Sequence, residues 1–468
     1  MTAIRFGTSG WRAVIAEGFT IANVRRVAAA IAHLLARSGA PRKGVFVGHD
    51  TRFMSDRFAR EAAEVLAAHG IPVTLSPGPI PTPAVAFAIV RGRRAGGLNI
   101  TASHNPPEYN GLKFSTATGA PAPPDVTRAI EAILERDGAA ATHPASAPTK
   151  PARITLRDTR ADYFRQIGRL VRLPAIRRAR LQIGCDLRHG ASIGFLDTLV
   201  GRVARRVEVI HGTPHPEFGG AGPDCGEKQL KDLASLVRRR RMHLGLATDG
   251  DGDRFGIVDA GGAFIQPNPF LALLADYLIE HRRMRGGVAR TVSTTHLIDA
   301  VCAHHGRRVF ETPVGFKHVG EYLTAGRAFL ACEESAGLSL AGHVPEKDGI
   351  LAGLLAAEMV AVRRRPLRAQ IQDLFRKVGP LVSRRLDYHM EPAVRDRFLR
   401  RLEEIPSRFA GHPVARLDTT DGRKMIFANG SWILFRPSGT EPLVRCYLEA
   451  RTPRDLDALT GAAREWLA

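Results

Sequence analysis

Long apolar runs are missing from this 468-residue chain. No stretch approaches the roughly 20 residues that a membrane-spanning helix needs. The opening MTAIRFGTSGWR lacks the charged-then-apolar pattern of a secretory signal, so the expected location is cytoplasmic. Cysteine is scarce: Cys185, Cys225, Cys302, Cys332 and Cys446 are scattered, odd in number and never in a CxxC pair. That argues against a disulfide framework or a zinc site. Aromatic residues make up only 6% and do not interleave with the basic clusters, as a nucleic-acid stacking platform requires. Lysine is rare as well; of 67 Lys and Arg, nine are Lys, which leaves 58 Arg.

What is present is globular: 44% hydrophobic and 24% charged residues exclude a disordered or fibrous chain. At about 150 residues per domain, the length predicts roughly three domains, or four smaller ones. The net charge of +21 favours anionic ligands, either nucleic acid or phosphorylated small molecules. The Arg residues are spread along the chain, however. The runs at Arg238 to Arg241 and Arg363 to Arg365 fall in expected helices and read as solvated faces.

The first half alternates helical and strand patterns. Thr20 is placed to cap a helix through Arg37, with Ile21, Val24, Val27, Ala28, Ile31 and Leu35 on one face. GVFVGHD (44–50) and IPVTLS (71–76) read as buried strands flanking a helix that Ser55 opens. A Pro/Ala-rich stretch at 138–152 has linker composition. The alternation then restarts, with strands at 181–186, 207–212 and 244–249 and helices near 158–172, 191–205 and 227–241. It restarts again from about 266, with strands at 288–295, 308–313 and 329–335 and a long helix near 347–364. The last ~95 residues read as an α+β unit with strands around 381–389 and 431–449 and helices near 392–405 and 453–467. The divisions expected are 1–150, 151–260, 261–375 and 376–468, the first three being similar α/β domains with mixed sheets and the last smaller.

Four motifs carry chemistry. In TASHNPPEYNGLKF (101–114), Ser103 lies between a strand and a Pro/Asn/Gly-rich turn. It reads as a nucleophile or phosphoryl carrier, with His104 able to move a proton and Lys113 a counter-charge; an ordinary polar turn is the alternative. There is no G-x-S-x-G elbow. In DGDGDR (249–254), Asp249, Asp251 and Asp253 can turn to one side. Carboxylates a few ångströms apart repel by about 4 kcal/mol per pair at an effective dielectric near 20, so the cluster calls for a cation, and all-oxygen ligands favour Mg²⁺. An EF-hand does not fit, because the sixth position is Arg254 and the twelfth Ala260. In RPSGTEP (436–442), the Arg436 guanidinium with the amides and hydroxyls of Ser438, Gly439 and Thr440 forms a natural phosphate cradle, or else a plain hairpin turn. CEESAG (332–337) ends an apolar strand with acids and a hydroxyl suited to sugar hydroxyls, or with a capped loop.

Taken in order, these motifs resemble the α-D-phosphohexomutase family. The resemblance spans the chain: FGTSGWR (6–12), TASHNP (101–106), DGDGDR (249–254), TPVGFKH (312–318), EESAG (333–337), KDGI (347–350) and RPSGTEP (436–442). It implies four domains around a central cleft and a mutase that exchanges a phosphoryl group between the ends of a hexose phosphate. Ser103 then resembles the phosphorylated serine, which also completes the metal site. Asp249, Asp251 and Asp253 resemble the Mg²⁺ ligands, and Arg12, His104, Lys113 and Arg254 the charge-stabilising and proton-handling groups. Glu333 and Ser335 resemble the pair that reads sugar hydroxyls, with Lys317 and His318 in the loop that senses sugar identity. Arg436, Ser438, Gly439 and Thr440 match the loop holding the phosphate that is not transferred. Glucose 1,6-bisphosphate is the implied intermediate and activator. The implied partner is a hexose phosphate, with neither nucleic acid nor membrane, on a monomer or dimer. TPVGFK lies closer to the phosphoglucomutase branch, with phosphomannomutase, dual and phosphoglucosamine specificities as alternatives. Ala336 and the glycine-rich loop 214–227 depart from the family pattern.

Overall fold

The computed structural model describes residues 4–7, 9–37, 39, 41–137, 151–437 and 443–467. The linker expected at 138–152 therefore lies, but for its last two residues, outside the described residues, as do Ser438, Gly439 and Thr440.

Four sheets follow one another along the chain. The first has seven strands, and Val45–His49 lies parallel to both Gly96–Ile100 and Val73–Leu75 near its centre. Tyr109–Thr116 and Gly10–Val14 add antiparallel on one side, and Ile154–Leu156 closes the other edge. The second sheet centres on Leu244–Thr248, parallel to Gln182–Asp186 and antiparallel to Phe255–Asp259. The third places Gly287–Thr291 between Val309–Thr312 and Ala328–Glu333, all parallel, with Gly337–Leu340 antiparallel at its edge. The fourth is wholly antiparallel and has six strands. This is the expected class: three mixed-sheet α/β units and a C-terminal α+β unit.

Pattern explains the contrast. Val45–His49, Leu244–Thr248 and Ala328–Glu333 are buried at every position, as strands covered by helices on both faces must be. Val382–His389 alternates between half-buried and exposed positions, which suits a sheet with one solvated face. Thr20 does cap the first helix, its hydroxyl accepting from the Asn23 amide at 3.2 Å before Ile21–Arg37.

Some elements differ from the sequence expectation. The helix near 191–205 shrinks to Leu196–Gly201, because the preceding backbone is used elsewhere: Ala191 N donates to Gly250 O at 2.8 Å. The strand expected over 288–295 stops at Thr291. There Thr291 Oγ1 bonds the hydroxyls of Ser293 and Thr294, a local alternative to the ladder. Strands His412–Asp418 and Arg423–Phe427 went unforeseen, because their charge masks the strand pattern. Lys424 is nevertheless fully buried, donating to Val292 O at 2.7 Å with its ammonium 4.2 Å from the Trp432 ring. Arg238 to Arg241 are exposed as expected. Arg363 is not a solvated charge; it pairs with Asp276 at 2.9 Å and Glu280 at 3.1 Å.

One continuous core joins the second and third units. Helix Gly349–Arg363 is buried over most of its length, and its Ile350 and Leu354 share a core with Leu246 and Ile257 of the second sheet and Val288 and Leu330 of the third. Each such side chain contributes about 1.5–3 kcal/mol, so the two units are firmly joined. The fourth unit has a core of its own and meets the third through a small apolar patch around Val292, Trp432, Leu434 and Tyr447. Among the described residues no helix is long and apolar enough to cross a membrane.

All five cysteines are buried and unpaired. Burial raises each thiol pKa, that of Cys302 to about 12. The native protein is expected to resist a thiol-specific reagent at neutral pH, with all five groups reacting once denaturant is added; mass spectrometry of the adducts counts them.

Candidate active site

Strand Gly96–Ile100 delivers Thr101, Ala102 and Ser103 to the cleft between the first two units. Ser103 is buried and has φ 54°, in the left-handed region, a conformation that costs about 1–3 kcal/mol and persists only when its surroundings impose it. Two groups impose it here. The Ser103 amide donates to Thr101 Oγ1 at 2.9 Å. The Arg52 guanidinium donates to the carbonyls of Ser103 (2.8 Å), Asn105 (2.6 Å), Pro106 (2.7 Å) and Tyr109 (2.8 Å). The Ser103 hydroxyl then donates to Asp249 Oδ2 at 3.0 Å.

The aspartate loop joins antiparallel strands Leu244–Thr248 and Phe255–Asp259. Its packing explains the glycines around it. A Cβ on Gly250 would lie 3.0 Å from Ser103 O, and one on Gly349 would lie 2.1 Å from Arg254 O. Gly349 N donates to Gly252 O at 3.0 Å, so the KDGI helix start is seated directly on this loop. Asp348 caps that helix by accepting from Leu351 N at 2.8 Å.

Cations surround the carboxylates. Lys113, opposite Asn99 in the first sheet, donates to Asp251 Oδ2 at 2.6 Å and Asp253 Oδ2 at 2.9 Å. Lys347 lies 3.2 Å from Asp253 Oδ2; it stands in the KDGI motif, but its role was invisible without the fold. Arg254 N donates to Asp249 Oδ1 at 3.1 Å, and Arg12 Nη1 donates to Asn105 Oδ1 at 2.7 Å. Burial and the Asp251 and Asp253 charges push Asp249 well above the usual carboxylate range. Burial would raise Asp253 too, but Lys113, Lys347 and Arg254 outweigh it and hold that group low. Burial, then Arg254 and Arg12, depress His104 well below its ordinary value. Its imidazole is therefore neutral, and Nδ1 is buried without a hydrogen-bond partner.

The trio fits a divalent cation. Asp249, Asp251 and Asp253 each offer an oxygen within 4.8 Å of the others. Asp251 Oδ1 and Asp253 Oδ1 are buried and accept no hydrogen bond, while Lys113 occupies the second oxygen of each. Thr82 also bonds Asp251 Oδ2. Free acceptors on a buried, all-oxygen donor set are what a hard cation requires.

The third unit forms the opposite wall. Glu333 is buried at the end of Ala328–Glu333 and accepts from Gly315 N at 3.0 Å, just before helix Phe316–Thr324. Lys317 and His318 are half-buried in that helix's first turn, and Ser335 lies in the following hairpin turn. Lys317, Lys113, Asp253, Glu346 and Lys347 line one cavity. Arg436, in the fourth unit, is linked to the third through one carboxylate. Its Nε donates to Asp421 Oδ2 at 2.9 Å, and that carboxylate also accepts from Val314 N at 2.9 Å. Asp421, which carried no sequence signal, thus ties Arg436 to the 312–318 loop.

These features agree with what known proteins show. Models of the phosphoglucomutase/phosphomannomutase family match domain I at residues 3–141, domain II at 161–262, domain III at 266–378 and the C-terminal domain at 393–465. The chain belongs to the α-D-phosphohexomutase family. The phosphoglucomutase of Komagataeibacter xylinus is 31% identical over 99% of this chain and 90% of its own length. The phosphoglucomutase/phosphomannomutase of Thermococcus kodakarensis is 30% identical over 96% and 94%. A crystal structure described as a "putative phosphomannomutase" from Thermus thermophilus superposes with TM-score 0.86 at 35% identity, covering 99% of both chains. Like its family, this phosphohexomutase is an isomerase that moves a phosphoryl group within a hexose phosphate, and its cationic cleft suits a dianionic substrate.

One cleft residue is expected to make this mutase's stability pH-dependent. Burial, opposed by Lys347 and Lys113, pushes the Glu346 carboxyl from its ordinary 4.5 up to about 7. Between those values the folded state binds the extra proton, so Glu346's contribution is present below 4.5 and lost as pH rises through 7. Glu346→Gln is expected to remove about 3 kcal/mol of that fall, seen as a flatter profile in denaturant titrations from pH 4.5 to 8.

Proposed function

We propose that this phosphohexomutase interconverts hexose 1-phosphate and hexose 6-phosphate, with glucose as the preferred sugar, through phospho-Ser103 and a 1,6-bisphosphate. One observation carries the reading: the Ser103 hydroxyl lies 3.0 Å from Asp249, within a buried aspartate trio that Lys113, Lys347 and Arg254 surround. A Mg²⁺ ion held by Asp249, Asp251, Asp253 and an oxygen on Ser103 would neutralise charge on the transferring phosphoryl oxygens. Lys113, Arg254 and Arg12 add positive charge where phosphoserine and substrate would otherwise repel.

In the first step the bond from Ser103 Oγ to phosphorus breaks as the free sugar hydroxyl forms a new one. The hydroxyl proton passes to neutral His104. The bisphosphate then exchanges ends, and the other phosphoryl group returns to Ser103 as the proton returns to the leaving sugar oxygen. Arg436, with Ser438, Gly439 and Thr440, holds the phosphate that stays. Glu333 and Ser335 accept and donate to sugar hydroxyls, and Lys317 and His318 read the sugar's identity.

Glucose is favoured by TPVGFK at 312–317. Relatives carry phosphoglucomutase, phosphomannomutase and, in Methanothermobacter thermautotrophicus at 31% identity over 96% of this chain and 94% of its own, "Probable phosphoglucosamine mutase" names. The test is a comparison of kcat/KM for the 1-phosphates of glucose, mannose and glucosamine, with Mg²⁺ and trace bisphosphate. The glucose value is expected to be highest. A higher mannose or glucosamine value reassigns the sugar, and phosphate release without a 6-phosphate product defeats the mutase reading.

A further inference from the structure

We infer that Phe218, from the glycine-rich segment 214–227 of the second unit, is a positioning residue for Ser103 and acts by stacking on Arg52. The inference rests on Ser103 being the phosphoryl carrier.

Arg52 is the hub of the serine loop. It is buried, and four carbonyls between Ser103 and Tyr109 accept from its Nη1 and Nη2. Its Nε lies 3.2 Å from Asp50 Oδ2, and Asp50 is pinned in turn by the Arg52 amide at 2.9 Å and the Ser55 hydroxyl at 2.8 Å. These partners restrain the planar guanidinium within its plane. Displacement out of the plane is opposed by packing against its face, and Phe218 supplies that packing: Arg52 Cζ lies 5.0 Å from the ring centroid.

The Phe218 placement is costly and well supported. Its side chain is fully buried, yet its φ is 50°, followed by 65° at Gly219 and 77° at Gly220. A bulky residue in that region is strained and needs surroundings that impose it. A local turn holds it, with Phe218 N donating to His215 O at 2.9 Å and Gly220 N to Glu217 O at 3.0 Å, and Arg188 anchors the residues that follow, donating from Nε to Asp224 O at 3.2 Å and from Nη2 to Gly222 O. Arg188 repeats the Arg52 device: its amide donates to Asp186 Oδ1 at 2.9 Å, as the Arg52 amide does to Asp50. One Asp-x-Arg pair gathers the serine loop, and the other gathers the segment that presents Phe218. The ring also faces the aspartate loop, where a Cβ on Gly250 would lie 3.3 Å from Phe218 Cε1. Phe218 thus sets the serine loop against the aspartate loop, which is the register that the Ser103–Asp249 contact depends on.

A misplacement of about 1 Å can cost on the order of a hundredfold in rate. In the full-length chain, Phe218→Ala is expected to lower kcat on glucose 1-phosphate by roughly ten- to a hundredfold, with KM unchanged. Phe218→Leu, which keeps apolar volume on the guanidinium face, should recover part of the loss. Arg52→Lys, which cannot reach four carbonyls, should lose more than Phe218→Ala. Rates are taken per folded molecule, by circular dichroism, and the phosphorylated fraction at Ser103 is read by intact mass. Normal kcat per folded molecule in Phe218→Ala overturns the inference. Should that variant not fold, a normal kcat in Phe218→Leu together with Arg52→Lys overturns it instead. If the wild-type enzyme turns over with no phosphoryl group on Ser103, the functional reading fails rather than the packing argument.

Discussion

Ser103→Ala is expected to reduce mutase turnover by roughly four orders of magnitude or more, as loss of a nucleophile does when the rest of a site stays intact. The fold should survive. The variant keeps the left-handed backbone that Arg52 and Thr101 impose, and it loses a single hydrogen bond to Asp249, worth about 1 kcal/mol. Two measurements check this together. Intact mass should show one phosphoryl group on the wild-type chain after incubation with glucose 1,6-bisphosphate and none on the variant, while the thermal midpoint moves by only a few degrees. A variant that turns over normally would place the carrier elsewhere.

Removing the divalent cation should be nearly as severe. Chelation is expected to bring turnover to background and to lower the thermal midpoint, because an ion bound only by the folded state stabilises it by mass action; added Mg²⁺ should restore both. Asp251→Ala should be inactive and its midpoint insensitive to Mg²⁺. It should also be less stable by about 3 kcal/mol, since the buried Lys113 ammonium loses its 2.6 Å partner and keeps Asp253. The pH dependence has a definite sign. Burial and its two neighbours raise Asp249, so protons compete with the ion for that carboxylate; ion binding is expected to release protons, and Mg²⁺ affinity to fall as pH falls. Titration calorimetry in buffers of different ionisation enthalpy reads that proton release. A midpoint indifferent to Mg²⁺ in the wild-type enzyme would remove the metal from the argument.

Much of this site was legible because its parts are short and chemically unusual. Three aspartates at alternate positions cannot share a buried turn without a counter-ion, so DGDGDR announces a cation before any fold is known. Ser103 beside His104 was ambiguous alone and became specific only in company with six other motifs. The residues that escaped notice act through shape. Arg52 looks like one of 58 arginines until four carbonyls are found around it, and Asp421 and Phe218 lie in segments whose composition reads as loop. Lys347 stood inside a recognised motif, yet its 3.2 Å approach to Asp253 depends on the helix after it packing against the Arg254 backbone.

From its order of residues alone, then, the chain determined its class, its alternating elements and its chemical inventory, since periodicity and side-chain identity are local properties. Only the tertiary structure decided which of its many polar and charged groups meet. Asp249 lies 146 positions from Ser103 and Asp253 140 from Lys113, and at such separations contact is set by how sheets and helices pack. The same holds for the ends of elements. Leu196–Gly201 is short because the residues before it support Gly250, a competition between local helix and distant partner that no local pattern records.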